Sequence, residues 1–421
     1  MLKGAYAFSR SRHEYGHIRL MNVNLNTGVA SRRNEAYDGF IHRTHAGSLN
    51  LNGYVKTGEL EHNLLFGIDT KEYYRYRPGA LNSYSSGTTH RNYPINIYSP
   101  VYGMVAYPSD RASGIQYQKL KMIGFYAQDS INLTQNLIYS LGVRYEYYDQ
   151  VARGTTSGPN TTDLQDGKFT WQTGLLYLLT PEWSVYTNYA QSFNPQMAIS
   201  GDDIGDIKPE EGKSIELGTK FQNDSITASA AVFNIDKKNI MRTVDGVSTP
   251  VGEARSRGFE FDFNGRVMQG LSLGASYAYT KTEVRKDSGA FAVLVGKTLE
   301  ATPKHQASLF ANYDFSYLGA KGLRIGGGAR YFGSWYTYYM RTNLPAVPAG
   351  TAFKINSAVV YDAFISYDTK IAGYETNFSF NVKNLTDKLY YTSSSTGTQA
   401  NIIPIQPGYA RQFMLTASVK F

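Results

Sequence analysis

Two stretches of the chain carry the side chains best suited to gripping a ligand. From residue 82 to 107, Tyr84, Tyr93, Tyr98, Tyr102 and Tyr107 are interleaved with Arg91, Asn92 and Asn96; from 334 to 341 the chain reads Ser-Trp-Tyr-Thr-Tyr-Tyr-Met-Arg. A phenol has an apolar ring and a polar tip, so such runs suit a bulky ligand held by ring faces and hydroxyl hydrogen bonds. Tyr84, Tyr93, Tyr98, Tyr102, Trp335, Tyr336, Tyr338, Tyr339 and Arg341 are therefore the candidate ligand-binding residues. The competing expectation for the same rings is an aromatic girdle at a membrane–water interface.

Other chemistries find no support. The chain has no cysteine, which removes disulfides, zinc thiolates and thiol nucleophiles. His42 and His45 are three apart, so on a strand they face opposite sides and cannot share a metal ion. The run Asp202-Asp203-Ile204-Gly205-Asp206, with Glu210 and Glu211, fits no calcium-loop spacing and reads as a solvated loop. There is no nucleophile elbow and no phosphate loop. No catalytic residue, metal site or covalently bound cofactor is assigned, and the chain reads as a non-enzyme.

The elements that must position these residues are strands. The last eleven residues, 411–421, place Phe413, Leu415, Ala417, Val419 and Phe421 on one face and Gln412, Thr416, Ser418 and Lys420 on the other. That is the period of a strand with one apolar side, and bacterial outer-membrane barrels close with such a strand, apolar face to lipid. The pattern recurs. Residues 122–133 set Ile123, Phe125, Ala127, Ile131 and Leu133 against Gly124, Gln128, Ser130 and Asn132; after Thr134-Gln135-Asn136, residues 138–147 set Tyr139, Leu141, Val143, Tyr145 and Tyr147 against Ser140, Gly142, Arg144 and Glu146. Further strands are expected near 4–11, 40–55, 61–76, 171–179, 183–192, 214–221, 226–233, 257–267, 271–280, 306–315, 323–332, 359–367 and 376–384, about sixteen in all. An even count permits closure into a barrel.

Composition agrees with a barrel. Mean hydropathy is -0.37 and no apolar run approaches the roughly 18 residues of a membrane helix, a test that a β-barrel escapes because only alternate residues need be apolar. The 35 Tyr suit both girdles and a wet vestibule. The net charge of +8 arises from basic residues that alternate singly with acidic ones, so no nucleic-acid footprint is expected. Arg144, Glu146, Glu216, Glu260, Asp262, Arg266, Arg324, Arg330, Asp362 and Lys383 are expected to face the lumen in cross-wall ion pairs, because charge is costly against lipid. Short and long connections alternate, which places the long ones outside the cell and the C-terminus in the periplasm.

Several segments resemble the barrel of TonB-dependent siderophore receptors, the gated outer-membrane importers of ferric chelates. They are Gly124-Phe125-Tyr126-Ala127-Gln128-Asp129, Lys208-Pro209-Glu210-Glu211-Gly212-Lys213-Ser214-Ile215-Glu216-Leu217-Gly218, Ala254-Arg255-Ser256-Arg257-Gly258-Phe259-Glu260, Ala301-Thr302-Pro303-Lys304-His305, Phe380-Asn381-Val382-Lys383-Asn384-Leu385-Thr386-Asp387-Lys388 and Pro407-Gly408-Tyr409-Ala410-Arg411. They occur in the family's order and span most of residues 124–421. The resemblance implies an all-β, transmembrane antiparallel β-barrel, with about 16 strands present of the family's 22 and the N-terminal plug domain absent. Residues 1–421 then form the C-terminal barrel portion, with plug and first strands missing. It implies a ferric siderophore as the transported ligand, bound among aromatic loops, the TonB complex as energising partner through the missing N-terminal region, outer-membrane lipid and the barrel-assembly machinery as further partners, and the outer membrane of a Gram-negative bacterium as location. Met1-Leu2-Lys3-Gly4-Ala5-Tyr6 starts inside a strand-like pattern with no signal peptide or TonB box, so export and coupling segments are expected upstream. The rival expectation is a passive sixteen-stranded porin or substrate-specific channel.

Overall fold

The computed structural model describes residues 1–421 except 22, 25, 80, 83–93, 104–109, 112–114, 156–158, 197–206, 245–246, 341–347, 395–404 and 421. Sixteen long strands form one antiparallel meander, each pairing with the next in sequence. They are β1 (Leu2–Met21), β2 (Val29–Thr57), β3 (Leu60–Arg77), β4 (Gln116–Asn132), β5 (Leu137–Thr155), β6 (Pro159–Leu178), β7 (Trp183–Asn194) and β8 (Glu210–Gln222), then β9 (Ile226–Val244), β10 (Val247–Met268), β11 (Leu271–Lys286), β12 (His305–Asp314), β13 (Leu323–Phe332), β14 (Ala358–Ile371), β15 (Tyr374–Lys383) and β16 (Gln412–Lys420).

Alternation along each strand divides the sheet into two chemically distinct faces. On β5, Leu141, Val143, Tyr145 and Tyr147 are exposed on one face, whereas Glu146, Tyr148 and Gln150 are buried on the other. The register carries this division across the sheet: Arg144 stands opposite Tyr126 on β4 and Thr170 on β6, while Tyr145 stands opposite Phe125 and Phe169.

The short connections are built by their own side chains. Thr134 Oγ1 accepts from the amides of Asn136 and Leu137, and Asn223 Oδ1 from those of Ser225 and Ile226 at 2.9 and 2.8 Å. These side chains stand in for the backbone acceptor of a tight turn. Between β14 and β15 the two-residue turn Ala372-Gly373 has φ of 51° and 88°, the doubly left-handed geometry that matches strand twist in a hairpin.

Several strands run well past the expected bounds. β2 begins at Val29 and not near residue 40, and β6 and β10 begin at Pro159 and Val247. At about 3.4 Å per residue and a 45° tilt, the 29 residues of β2 reach roughly 70 Å along the barrel axis, more than twice a bilayer core. Most of the added length of these three strands lies at the long-loop end.

The sheet has two edges. β1 pairs with β2 and β16 with β15, and among the described residues no ladder joins β1 to β16. The even strand count therefore does not bring the closure expected of a complete sixteen-stranded barrel. β16 is exposed along its whole length.

Candidate functional site

The long loops continue the strands and pack on one another. After β13, Trp335 and Tyr336 pair with Ile355 and Lys354, and the hairpin is extended by hydrogen bonds from Thr337 N to Phe353 O and from Met340 N to Thr351 O, both 2.9 Å. This hairpin lies against the loop after β11, where a short 3-10 helix, Gly289–Leu294, supplies Phe291 and Leu294 to a cluster with Val284 and Tyr339. Tyr339 N donates to Glu300 Oε1 at 3.1 Å, Ala301 N to Tyr336 O at 2.9 Å, and Tyr338 N reaches Ser394 Oγ at 2.9 Å in the next loop. Three loops are thus tied together above β11 to β15.

The placement of the candidate aromatics sorts them. Trp335 and Tyr339 are 4% and 6% exposed, and burial pushes the Tyr339 phenol pKa up, with Tyr336 and Glu300 adding to it. These two are packing residues of the loop base. Tyr336 is 37% exposed with its ring stacked 6.2 Å from that of Tyr339, and Tyr338 is half-buried. In the connection after β3, Pro94–Asn96 pairs with the start of β2, and Asn96 Oδ1 accepts from Tyr98 N at 2.9 Å and Ser99 N at 3.3 Å. Tyr98 and Tyr102 are 67% and 79% exposed. The two aromatic stretches therefore rise from different parts of the meander, one over β2 and the other over β11 to β15. Tyr84, Tyr93 and Arg341 lie outside the described residues, as do residues 202–206 of the acidic run.

Below the loops the polar face is a wall of paired charges. Arg144 makes two hydrogen bonds to Asp69, at 2.7 and 2.8 Å, and pairs with Glu146 on its own strand. Its guanidinium lies 5.5 Å from the Tyr126 ring centre, and Tyr126 Oη donates to Asn50 at 2.5 Å. Glycine makes room for both large groups, since a Cβ at Gly124 would collide with the Arg144 guanidinium and one at Gly67 with the Tyr126 ring. Further along, Tyr186 donates to Glu216 at 2.6 Å, and Arg330 binds Asp362 through two nitrogens at 3.0 and 3.3 Å. Arg324 pairs with Asp368. Glu260 and Asp262 line a pocket of about 460 Å³ with Ser276, Ser308 and Arg330. Asp69, Asn50 and Asp368 were not among the expected lumen residues; their sequence signal is only that each sits at an even step from its neighbours on the polar face.

Four of the six motif segments, 208–218, 301–305, 380–388 and 407–411, lie where strands meet loops, whereas 124–129 and 254–260 lie inside β4 and β10. Asn384 is 2% exposed at φ 51°, and its side chain donates to Lys388 O and Tyr409 O at 2.9 and 3.0 Å while accepting from Lys388 N at 2.8 Å. Its backbone N–H donates to Asp362, and Asp387 accepts from Arg411 N at 2.8 Å. The segments at 380–388 and 407–411 are therefore one lock. At the entry to β8 Glu210 and Glu211 pair with Lys237 and Lys168, and within the β9–β10 ladder Arg255 pairs with Asp236. His42 and His45 point to opposite faces, bonded to Tyr73 and Tyr6.

Comparison with known proteins gives this geometry its family. A model described as TonB dependent receptor-like, beta-barrel, matches residues 3–385. An uncharacterised TonB-dependent receptor of Haemophilus influenzae is 39% identical over 336 residues, which cover 78% of this chain and 95% of that protein. The ferrichrome outer membrane transporter/phage receptor of Escherichia coli is 32% identical over 376 residues, 87% of this chain and 47% of its own length. The crystal structure of the siderophore receptor PiuA from Acinetobacter baumannii superposes with a TM-score of 0.80 at 21% identity, covering 99% of this chain and 61% of that one. The chain thus spans about half the length of the ferrichrome transporter. On the match over residues 3–385 and the 39% identity to a receptor aligned along nearly its whole length, this chain belongs to the TonB-dependent receptor β-barrel family.

Proposed function

We propose that residues 1–421 are the C-terminal barrel portion of an outer-membrane receptor that imports ferric siderophores, energised through TonB. The observation that carries this reading is the division of one large meander into an apolar face and a wall of paired charges, crowned at one end by interlocked aromatic loops. In this reading the apolar face meets lipid, the charged wall lines the lumen, the long loops are extracellular and the C-terminus is periplasmic. Further strands and a plug, N-terminal to residue 1, join the edges at β1 and β16 and complete a 22-stranded barrel. The kinship to a ferrichrome transporter supports the ligand class. Barrel-assembly machinery and outer-membrane lipid follow as partners from the location.

The ligand contacts are assigned to Tyr98, Tyr102, Tyr336 and Tyr338, with Tyr84, Tyr93 and Arg341 as further candidates, while Trp335 and Tyr339 hold the loop that presents them. Replacing Tyr336 and Tyr338 together by alanine should weaken ferric-siderophore binding by roughly ten- to a hundredfold, the 1 to 3 kcal/mol of good aromatic contacts. Trp335→Ala should instead lower the thermal stability of the loops. Titration of the purified receptor with radiolabelled ferric chelates of hydroxamate and catecholate type measures the first, and thermal unfolding the second. Unchanged affinity for every chelate in the double variant contradicts the site, and a wild type that binds none contradicts the function.

The lipid face has its own test, and depth matters. Val419 pairs with Thr376, close to the short turn, whereas Leu415 pairs with Phe380 in mid-strand. Leu415→Arg should therefore cost about 2 to 4 kcal/mol and Val419→Arg only about 0 to 1. Urea unfolding in lipid vesicles reads the difference, and equal costs at the two positions would contradict this register in the membrane.

A further inference from the structure

At the long-loop end of the charged wall two imidazole rings lie side by side. His13 on β1 and His42 on β2 have ring centres 5.5 Å apart, with the ring planes at 82°. Tyr73, which His42 touches, is an even step from Asp69 on β3, so the pair lies on the charged face of the sheet. His42 is thirteen residues from Val55 near the short turn, which at about 3.4 Å per residue and a 45° tilt is roughly 30 Å up the wall, beyond an apolar band about 25 Å tall. The backbone helps to aim His13. The β1–β2 register runs unbroken from Leu2 to His13 and shifts between His13 and Tyr15, and such a bulge redirects the side chains beside it.

One nitrogen of each ring is held by a hydroxyl: His42 Nδ1 lies 3.0 Å from Tyr73 Oη, and His13 Nε2 lies 3.1 Å from Ser11 Oγ. Among the described residues, His42 Nε2 and His13 Nδ1 have no hydrogen-bond partner. Metal-ligating histidines are held in this way, one nitrogen fixed by an oxygen so that the other is presented to the ion. With metal–nitrogen bonds of about 2.0 to 2.1 Å and near-tetrahedral angles, two imidazoles on one ion have ring centres roughly 5 to 6 Å apart, the spacing seen here. Phe40 closes one side of the pair, its ring centre 4.6 Å from that of His42. Among the described residues no three acidic, histidine or cysteine side chains gather to hold an ion, so the pair supplies two ligands. Imidazole suits zinc, copper and nickel. Arg75, opposite His42 on the ladder and bonded to Gln118 at 3.0 Å, places a positive charge beside the pair, which favours an ion that brings an anionic ligand in its open positions.

We propose that His13 and His42 form a two-histidine site for a late divalent metal ion, zinc, copper or nickel, whose remaining positions are filled by water or by the carboxylates of a chelate. The site is separate from the aromatic loops assigned to ferric siderophores.

The test uses the purified receptor without a histidine tag, titrated by calorimetry with zinc chloride and with nickel chloride. One ion should bind with micromolar affinity. His13→Gln and His42→Gln should each weaken it at least tenfold, and Tyr73→Phe, which removes the hydroxyl that orients His42, roughly tenfold. His45→Gln, on the opposite face, should change it less than twofold. Copper(II) on the wild type gives a reading that needs no variant: its electron paramagnetic resonance spectrum should carry the splitting of two imidazole nitrogens. Absence of saturable binding, binding that survives both glutamine substitutions, or a copper spectrum with fewer than two nitrogens overturns the proposal. If a variant fails to assemble, the copper spectrum still decides. A receptor that takes zinc at this pair and binds no ferric chelate keeps the site and refutes the siderophore reading; one that imports ferric chelate and ignores zinc refutes only the site.

Discussion

Replacing Asn384 by alanine should cost about 3 kcal/mol, because three hydrogen bonds made by a side chain that is 2% exposed are lost and each contributes roughly 0.5 to 1.5 kcal/mol. The side chain bonds on both sides of the joint: it donates to Lys388 O in its own turn and to Tyr409 O at the entry to β16. Its φ of 51° is a conformation that asparagine tolerates better than most residues. Asn384→Gly separates the two contributions, since it keeps the backbone freedom and removes the hydrogen bonds. Urea unfolding of both variants should show losses of similar size. A loss confined to the alanine variant would assign the effect to backbone strain, and no loss in either would contradict the lock.

Removing the cation from the charged wall should be comparably costly. Arg144→Met leaves Asp69 and the nearly buried Glu146 facing one another without a counterion, and breaking such a pair from one side typically costs about 3 to 5 kcal/mol. It also strips the guanidinium from the Tyr126 ring. Neutralising the whole cluster, Arg144→Met with Asp69→Asn and Glu146→Gln, should recover most of the loss, because no charge is then left unpaired. Unfolding free energies of the single and triple variants decide: a triple variant as unstable as the single one would mean that shape, and not charge balance, holds the wall together.

The sequence made the membrane-spanning parts of the strands legible for a physical reason. Where one face must be apolar and the other polar, side chains alternate, as in Leu141, Val143, Tyr145 and Tyr147 against Arg144 and Glu146. Above that band both faces are wet and alternation has no cause, so the first part of β2, with Arg32, Arg33, Asn34 and Glu35 in succession, carries no strand pattern although its ladder to β1 continues to Ser31. The extra length is held by backbone pairing, which leaves no mark on residue type. Lumen charges were legible as a class, but not their partners: Asp69 and Arg144 are 75 residues apart and meet only because β3 pairs with β4 and β4 with β5. The burial of Trp335 and Tyr339 was hidden for the same reason, since it depends on loops packing across strands, including the 3-10 helix of Gly289–Leu294. The segments 380–388 and 407–411 were recognised as strings, and their meaning as a joint emerged only from contacts such as Asn384 to Tyr409.

Energy-dependent import separates a gated receptor from a passive channel most directly. Cells expressing the receptor as their sole outer-membrane route for ferric siderophores should take up radiolabelled iron chelate saturably, and collapse of the proton-motive force should abolish accumulation while leaving surface binding intact. Uptake that rises linearly with chelate concentration and persists after that collapse, or the absence of any chelate-dependent uptake, would contradict import gated through TonB.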